Sequence, residues 1–325
     1  MPVFNWKRTR THGPSYLVDW LVVLIMAIAW FLIGSIHPFQ RKFSVEDKTI
    51  MYPYAYHETV NSVHLGLICF LLPIVAITLV SLLIRRSSWD WHVGILGLCT
   101  TMTLTLALTH TLKVSVGRLR PDFLDRCQPR EGTVDPPIGL LSISEVCTQT
   151  DMSILRDGSK SFPSGHSSET FAGLTYLALY FAGKLRVFDR QGRSIKGFII
   201  LLPVLGAAMV AVSRLDDYRH HWQDITVGAL IGIFFAYFGY RQYYPSLSDK
   251  QCTKPFPLRE MSRRARREEA VAPSSSQSLP HFRCDDRGSP IPLNRPRDGY
   301  STDDTQFDTP LTDTSPPKHA ETCPV

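Results

Sequence analysis

Six stretches of this chain are too apolar and too long to be left in water, and they limit what it can fold into more than any other feature. They run from Tyr16 to Ile36, Val63 to Ile84, Val93 to Leu112, Ser168 to Lys184, Gly197 to Val212 and Ile225 to Tyr244. The hydrocarbon core of a bilayer, about 30 Å thick, is crossed by about 20 residues of helix rising about 1.5 Å each. Each stretch is therefore read as a membrane span, although the fourth and fifth are short and carry Gly or polar residues. The mean hydropathy of −0.03 conceals this pattern, because residues 245–325 are rich in Ser, Thr, Pro, Asp and Arg and offer little to pack. The expected architecture is an all-α, six-span transmembrane helical bundle over residues 16–244. It is preceded by a basic amino terminus, residues 1–15, and followed by a disordered tail, residues 245–325.

Lys and Arg in short loops mark the cytoplasmic side. Lys7, Arg8 and Arg10 precede the first span, which is too long for a signal peptide and lacks a small-residue cleavage site, so it is read as retained. Arg85 and Arg86 follow the second span. Lys184, Arg186, Arg190, Arg193 and Lys196 lie between the fourth and fifth. Both termini are then expected in the cytoplasm, with residues 37–62, 113–167 and 213–224 on the opposite face. The third loop violates this pattern with Lys113, Arg118, Arg120, Arg126 and Arg130, and a functional use of those cations is the reading that accounts for it. Of seven Cys, only Cys127 and Cys147 share a non-cytoplasmic loop, where oxidising conditions permit a bond. No CxxC pair points to zinc. The sequence contains no nucleotide loop, nucleic-acid motif or internal repeat.

Three polar clusters fall where these spans meet water on that opposite face. The first is Lys113-Val114-Ser115-Val116-Gly117-Arg118-Leu119-Arg120-Pro121. If the third helix continues through it, Lys113 and Arg120 lie on one face, two turns apart, able to hold separate phosphate oxygens. A snorkelling basic collar would give the same pattern. The second cluster, Ser161-Phe162-Pro163-Ser164-Gly165-His166-Ser167-Ser168, opens the fourth span. A helix start presents free N–H groups and partial positive charge to an anion, while capping by Ser164, Ser167 or Ser168 explains the serines equally well. The third cluster runs from Ser213 to Asp224 and holds Arg214, Arg219, His220 and His221. On a helix, His220 and Asp224 at four apart, or His221 and Asp224 at three apart, would let the carboxylate fix an imidazole tautomer. Spacing alone does not choose between the two histidines.

Taken in order, the clusters read KxxxxxxRP, PSGH and SRxxxxxHxxxD. This set resembles the phosphatidic acid phosphatase type 2 superfamily, and within it the six-span lipid phosphate phosphatases. Gly117-Arg118-Leu119-Arg120-Pro121-Asp122-Phe123 and Asp217-Tyr218-Arg219-His220-His221-Trp222 are similar to the fungal diacylglycerol pyrophosphate phosphatase group. The resemblance implies His220 as nucleophile in preference to His221, Asp224 as its orienting carboxylate and His166 as the acid for the leaving oxygen. It also implies Lys113, Arg120, Arg214, Ser164 and the Gly165 backbone as phosphate ligands, with no metal and no cofactor. Glu169 has no place in that pattern.

The substrate so implied is a membrane phospholipid with a terminal phosphate or pyrophosphate: phosphatidate, diacylglycerol pyrophosphate or a sphingoid phosphate. A polyprenyl diphosphate would suit the same catalytic parts. A non-catalytic lipid-binding relative would have lost the histidines that are present here. A metallohydrolase using His166, His220, His221 and Asp224 is a further chemical alternative. Two titrating histidines imply a bell-shaped pH dependence of the rate.

Overall fold

The computed structural model describes residues 13–189 and 191–257, together with two short strands further along the chain. Up to residue 257 the regular structure is helical apart from the isolated bridges Phe43 to Leu141 and Pro129 to Cys147. Helix α1 spans Gly13–Ser35, α2 Ser62–Ile84 and α3 Ser88–Val116. Three short helices follow, α4 Phe123–Cys127, α5 Ile143–Val146 and α6 Met152–Gly158. Helices α7 Gly165–Leu185, α8 Ser194–Asp216 and α9 Trp222–Tyr243 complete the bundle.

Five of these, α1, α2, α3, α8 and α9, are long and apolar enough to cross a membrane. Helix α7, expected as the fourth span, does not meet that test. Its place in the bundle explains its composition. It packs on α9, α8 and α3, so its Ser167, Ser168, Thr170, Ala172, Gly173 and Tyr176 face protein rather than lipid. Small residues on α9 let the two backbones close in, with a Cβ at Gly232 only 2.4 Å from the Ser168 carbonyl oxygen. By contrast α1 turns Leu17, Val18, Ile25 and Phe31 outward.

Helix α2 contains two π-helical stretches, Leu67–Leu71 and Leu79–Ile84. Pro73 has no N–H, so the Cys69 carbonyl loses the donor that an α-helix would supply four residues on. Gly173 of α7 approaches that carbonyl so closely that a Cβ would lie 1.9 Å from it. Backbone cannot yield as a flexible side chain can, and Gly173→Ala is expected to cost about 1–3 kcal/mol, read as a lowered unfolding temperature of the purified protein. An unchanged midpoint would show that the helices separate without penalty.

The loops on the face opposite the termini were expected to carry the polar clusters, with no packed core of their own. Residues 37–61 and 117–164 instead fold together over one end of the bundle around a small apolar core of Phe43, Ile50, Leu119, Phe123, Ile143, Val146 and Leu155. Cys127 and Cys147 form a disulfide within it. Closing a loop of this size stabilises by about 3 kcal/mol through the unfolded chain, so Cys127→Ser with Cys147→Ser should lower the midpoint of thermal unfolding by several degrees; no change on substitution would contradict this.

At the other end the structure extends past the expected boundary at residue 244. Phe256 N donates to Tyr243 O at 2.9 Å, and Cys252 and Thr253 are buried. Lys184 Nζ reaches Asp90 Oδ1 at 2.5 Å and Thr253 O at 2.9 Å, while Tyr244 Oη donates to Asp90 Oδ1 at 2.9 Å. Residues 245–257, assigned to the tail by composition, are thus part of the packed body, since this buried ion pair needs Thr253 as an additional acceptor. Most of the remaining tail lies outside the described residues. Within it, Phe282–Cys284 (β1) pairs antiparallel with Pro290–Pro292 (β2) in a separate unit.

Candidate active site

All three clusters meet at the end of the bundle covered by the folded loops, but the first and third do so by a different route from the one their spacing predicts. Helix α3 stops at Val116 because Gly117 adopts a left-handed conformation, φ 58°, and its Cα lies against the Phe39 carbonyl. Arg120 therefore lies in a loop rather than two helical turns beyond Lys113, and Pro121 prevents the helix from resuming through it. Lys113 remains in the last turn of α3 and its Nζ donates to Lys160 O at 3.0 Å. The fold still brings Lys113 to the second cluster: its Cε and Nζ lie 3.5 and 3.9 Å from the Cβ position at Gly165. Glu169 Oε1 is 3.5 Å from the same point, which places the residue left unassigned by the motifs on the same side of the α7 start as Lys113.

Ser164 is the N-cap of α7 and its Oγ accepts from Ser167 N at 3.4 Å. The capping reading and the anion-site reading are compatible, since capping uses the side chain and leaves the first N–H groups of the turn. Ser164 N donates to Asp224 O at 2.9 Å, tying the second cluster to the third. Ser161 Oγ donates to Asp224 Oδ2 at 2.5 Å.

Neither histidine of the third cluster lies within a helix with Asp224. Helix α9 begins at Trp222, His221 is its N-cap and Asp224 occupies the third position of a capping box. Asp224 Oδ2 accepts from His221 N at 3.1 Å and lies 3.3 Å from His221 Nδ1, whereas His220 Nδ1 stands 3.9 Å away. That distance is too long for a hydrogen bond. Arg118 Nη1 completes the set at 2.7 Å from Asp224 Oδ1.

His220 is nonetheless the histidine enclosed by the cations. It is 4 % exposed and its Nδ1 has no protein partner. Burial, then the charges of Arg120, Lys113 and His166, push its pKa well below the ordinary imidazole value, so the ring is held neutral. The Nε2 of His166 lies 3.0 Å from Val60 O, and because a carbonyl only accepts, this nitrogen carries the proton.

The expected phosphate-binding arginines are already engaged. Arg120 donates from Nε to Asp157 O and from Nη2 to Asp157 Oδ1, both at 2.8 Å. Arg214 is 1 % exposed, bonds Glu58 Oε2 at 2.9 Å and also pairs with Asp217. Burial raises the Asp157 carboxyl, but Arg120, Arg126 and Lys113 outweigh it and hold the group well below the usual carboxylate range. Arg118, Asp157, Glu58, Ser161 and Arg219 are site residues that the motifs do not include. The five cations in one loop were the available signal, because buried guanidiniums require carboxylates nearby. Among the described residues, no group of three His, Cys, Asp or Glu side chains is arranged to hold a metal ion.

This arrangement belongs to a known class. Residues 94–247, which include every motif position from Lys113 to Asp224, match the family model described as the PAP2 superfamily, and the chain is a member of that superfamily. It is 37 % identical over 252 residues to a probable lipid phosphate phosphatase 4 of Arabidopsis thaliana, covering 77 % of this chain and 79 % of that one. It is 38 % identical over 242 residues to diacylglycerol pyrophosphate phosphatase 1 of Saccharomyces cerevisiae, covering 74 % and 83 %. A probable diacylglycerol pyrophosphate phosphatase 1 of Schizosaccharomyces pombe is 41 % identical over 231 residues, covering 70 % and 81 %. No solved structure matches the chain.

Proposed function

We propose that this protein is an integral membrane phosphatase that removes the terminal phosphate from phosphatidate, diacylglycerol pyrophosphate and related lipid phosphates by way of a phosphohistidine on His220. The observation that carries the reading is the burial of a neutral His220 among Lys113, Arg120 and His166. A neutral imidazole is a nucleophile, and cations beside it neutralise the phosphoryl group under attack. The names of the relatives from Arabidopsis and the two yeasts supply the substrate class.

In the first displacement His220 Nε2 attacks phosphorus in line with the lipid oxygen. The phosphorus–oxygen bond to the lipid breaks and His166, which the scheme requires as an imidazolium, gives one proton to the departing oxygen and becomes neutral. Water then attacks the phosphohistidine, with His166 taking up its proton. Lys113, Arg120, Arg214, Ser164 and the Gly165 N–H are assigned to the phosphoryl oxygens, where positioning and charge neutralisation supply most of the catalysis. Asp224 orients His220 in this scheme, which requires the 3.9 Å separation to close by about 1 Å, a common difference between unliganded and reacting sites. No catalytic Mg²⁺ enters these steps. Phosphate release from phosphatidate should therefore continue in excess EDTA, and loss of activity on chelation would refute the scheme.

In the proposed topology α7 is the fourth of six spans, both termini are cytoplasmic and the site faces the other side. The Cys127–Cys147 disulfide beside the site suits a non-cytoplasmic, oxidising compartment. Lipid would then reach the site laterally from that leaflet.

The state of His220 gives a signed pH prediction. A depressed pKa keeps the nucleophile unprotonated as the medium is acidified, so the acid limb of kcat/KM should have its midpoint below about 6.5, the ordinary imidazole value. A midpoint at or above that value in a phosphatidate assay would contradict the assignment.

A further inference from the structure

Three consecutive residues of the first covered loop hold groups from both the second and third clusters. Glu58 places Oε2 2.9 Å from Arg214 Nη1 and Oε1 3.1 Å from Arg219 Nη2. Thr59 donates its N–H and its hydroxyl to Asp217 at 3.0 and 2.7 Å. The Val60 carbonyl accepts from His166 Nε2 at 3.0 Å. The two groups so occupied, Arg214 and His166, are those that must turn to the phosphoryl oxygen and the leaving oxygen in the mechanism above.

Both guanidiniums bridged by Glu58 are buried, Arg214 at 1 % and Arg219 at 4 % exposure, and the Nε of each has no hydrogen-bond partner, that of Arg219 standing 4.0 Å from Asp122 Oδ2. Buried N–H donors are costly to leave unpaired. A carboxylate, with two oxygens, serves one donor on each arginine and leaves further donors unfilled, whereas a phosphate brings more acceptor oxygens to the same place. Arg219 is also anchored to the loop that carries Glu58, donating from Nη2 to Ala55 O at 2.9 Å and lying over the Tyr54 ring. It can thus keep the carboxylate while Arg214 releases it.

We propose that Glu58 is an internal counter-anion of the phosphate subsite, resting on Arg214 when no phosphate is bound and retained by Arg219 when phosphate displaces it. The inference rests on the assignment of Arg214 to phosphate made above. Its consequence is a tuned affinity: every molecule with Glu58 on Arg214 must give up that contact to bind, so the apparent dissociation constant is the intrinsic one divided by the fraction in which Arg214 is free of Glu58. Asp217 stays paired with Arg214 throughout, and the phosphate product leaves more readily because the Glu58 carboxylate stands ready to replace it.

The test is titration of the full-length protein in detergent with inorganic phosphate, read by calorimetry and by the phosphate-induced rise in unfolding temperature, which reports on folded molecules only. Glu58→Gln should bind phosphate about tenfold more tightly than wild type. Arg219→Gln should bind it more weakly, because the carboxylate then has only Arg214 to rest on, and the double variant should lose that weakening. Unchanged or weaker binding by Glu58→Gln, or a weakening by Arg219→Gln that persists in the double variant, overturns the proposal. Arg214→Ala separates the two levels: wild-type affinity in that variant would refute the phosphate assignment itself, whereas its loss alongside no gain in Glu58→Gln refutes only the counter-anion.

Discussion

Substitution of His220 by Ala should reduce phosphate release from phosphatidate by about 10⁵-fold, to the limit of detection, while leaving the unfolding temperature near that of wild type. The imidazole is small, is held neutral and has an Nδ1 without a hydrogen-bond partner, so its removal deletes the proposed nucleophile without stranding a buried charge. His221→Ala provides the contrast. That residue caps α9 and touches Asp224 with both its amide and its ring, and its ring should matter through position alone. Measured side by side, the variants decide what spacing could not. If His221→Ala were dead and His220→Ala active, the nucleophile would be reassigned.

Asp224→Asn should lower kcat by about 10²–10⁴-fold, the range for losing a carboxylate that orients a reacting imidazole. The side chain is fully buried and accepts from Ser161, Arg118 and the His221 N–H. An amide keeps the volume but removes the charge facing Arg118 and offers an NH₂ where acceptors are needed. Because the pair with Arg118 is half broken, stability should fall as well, and the unfolding midpoint must be reported with the rate. A variant that retains most of its kcat would show that the carboxylate serves only to cap α9 and join the clusters.

Much of this was legible in the residues themselves. Apolar length marked out every long helix, and the motif order brought Lys113, Ser164, His166, Arg214, His220 and Asp224 to one end of the bundle. The local geometry was not legible, for reasons visible at particular positions. Gly117 ends α3 before Arg120, since a left-handed turn against Phe39 O overrides helical continuity. His221 as N-cap shifts the start of α9 beyond His220, so counting residues on an ideal helix fails there. Helix α7 falls short of the apolar test for a span, and its neighbours in the bundle cover its Ser and Gly face. The carboxylates Glu58 and Asp157 sit in loops without pattern, and only folding brings them to the arginines they neutralise.

Covalent transfer of the phosphoryl group to His220 is the claim on which the mechanism depends, and trapping that adduct tests it most directly. Purified protein mixed with phosphatidate carrying a radiolabelled phosphate, in EDTA, should be quenched in base within a single turnover and its peptides mapped. A base-stable, acid-labile label is expected on the peptide containing residue 220 and absent from His220→Ala. Turnover with no labelled protein at any quench time, or label on another residue, would contradict it.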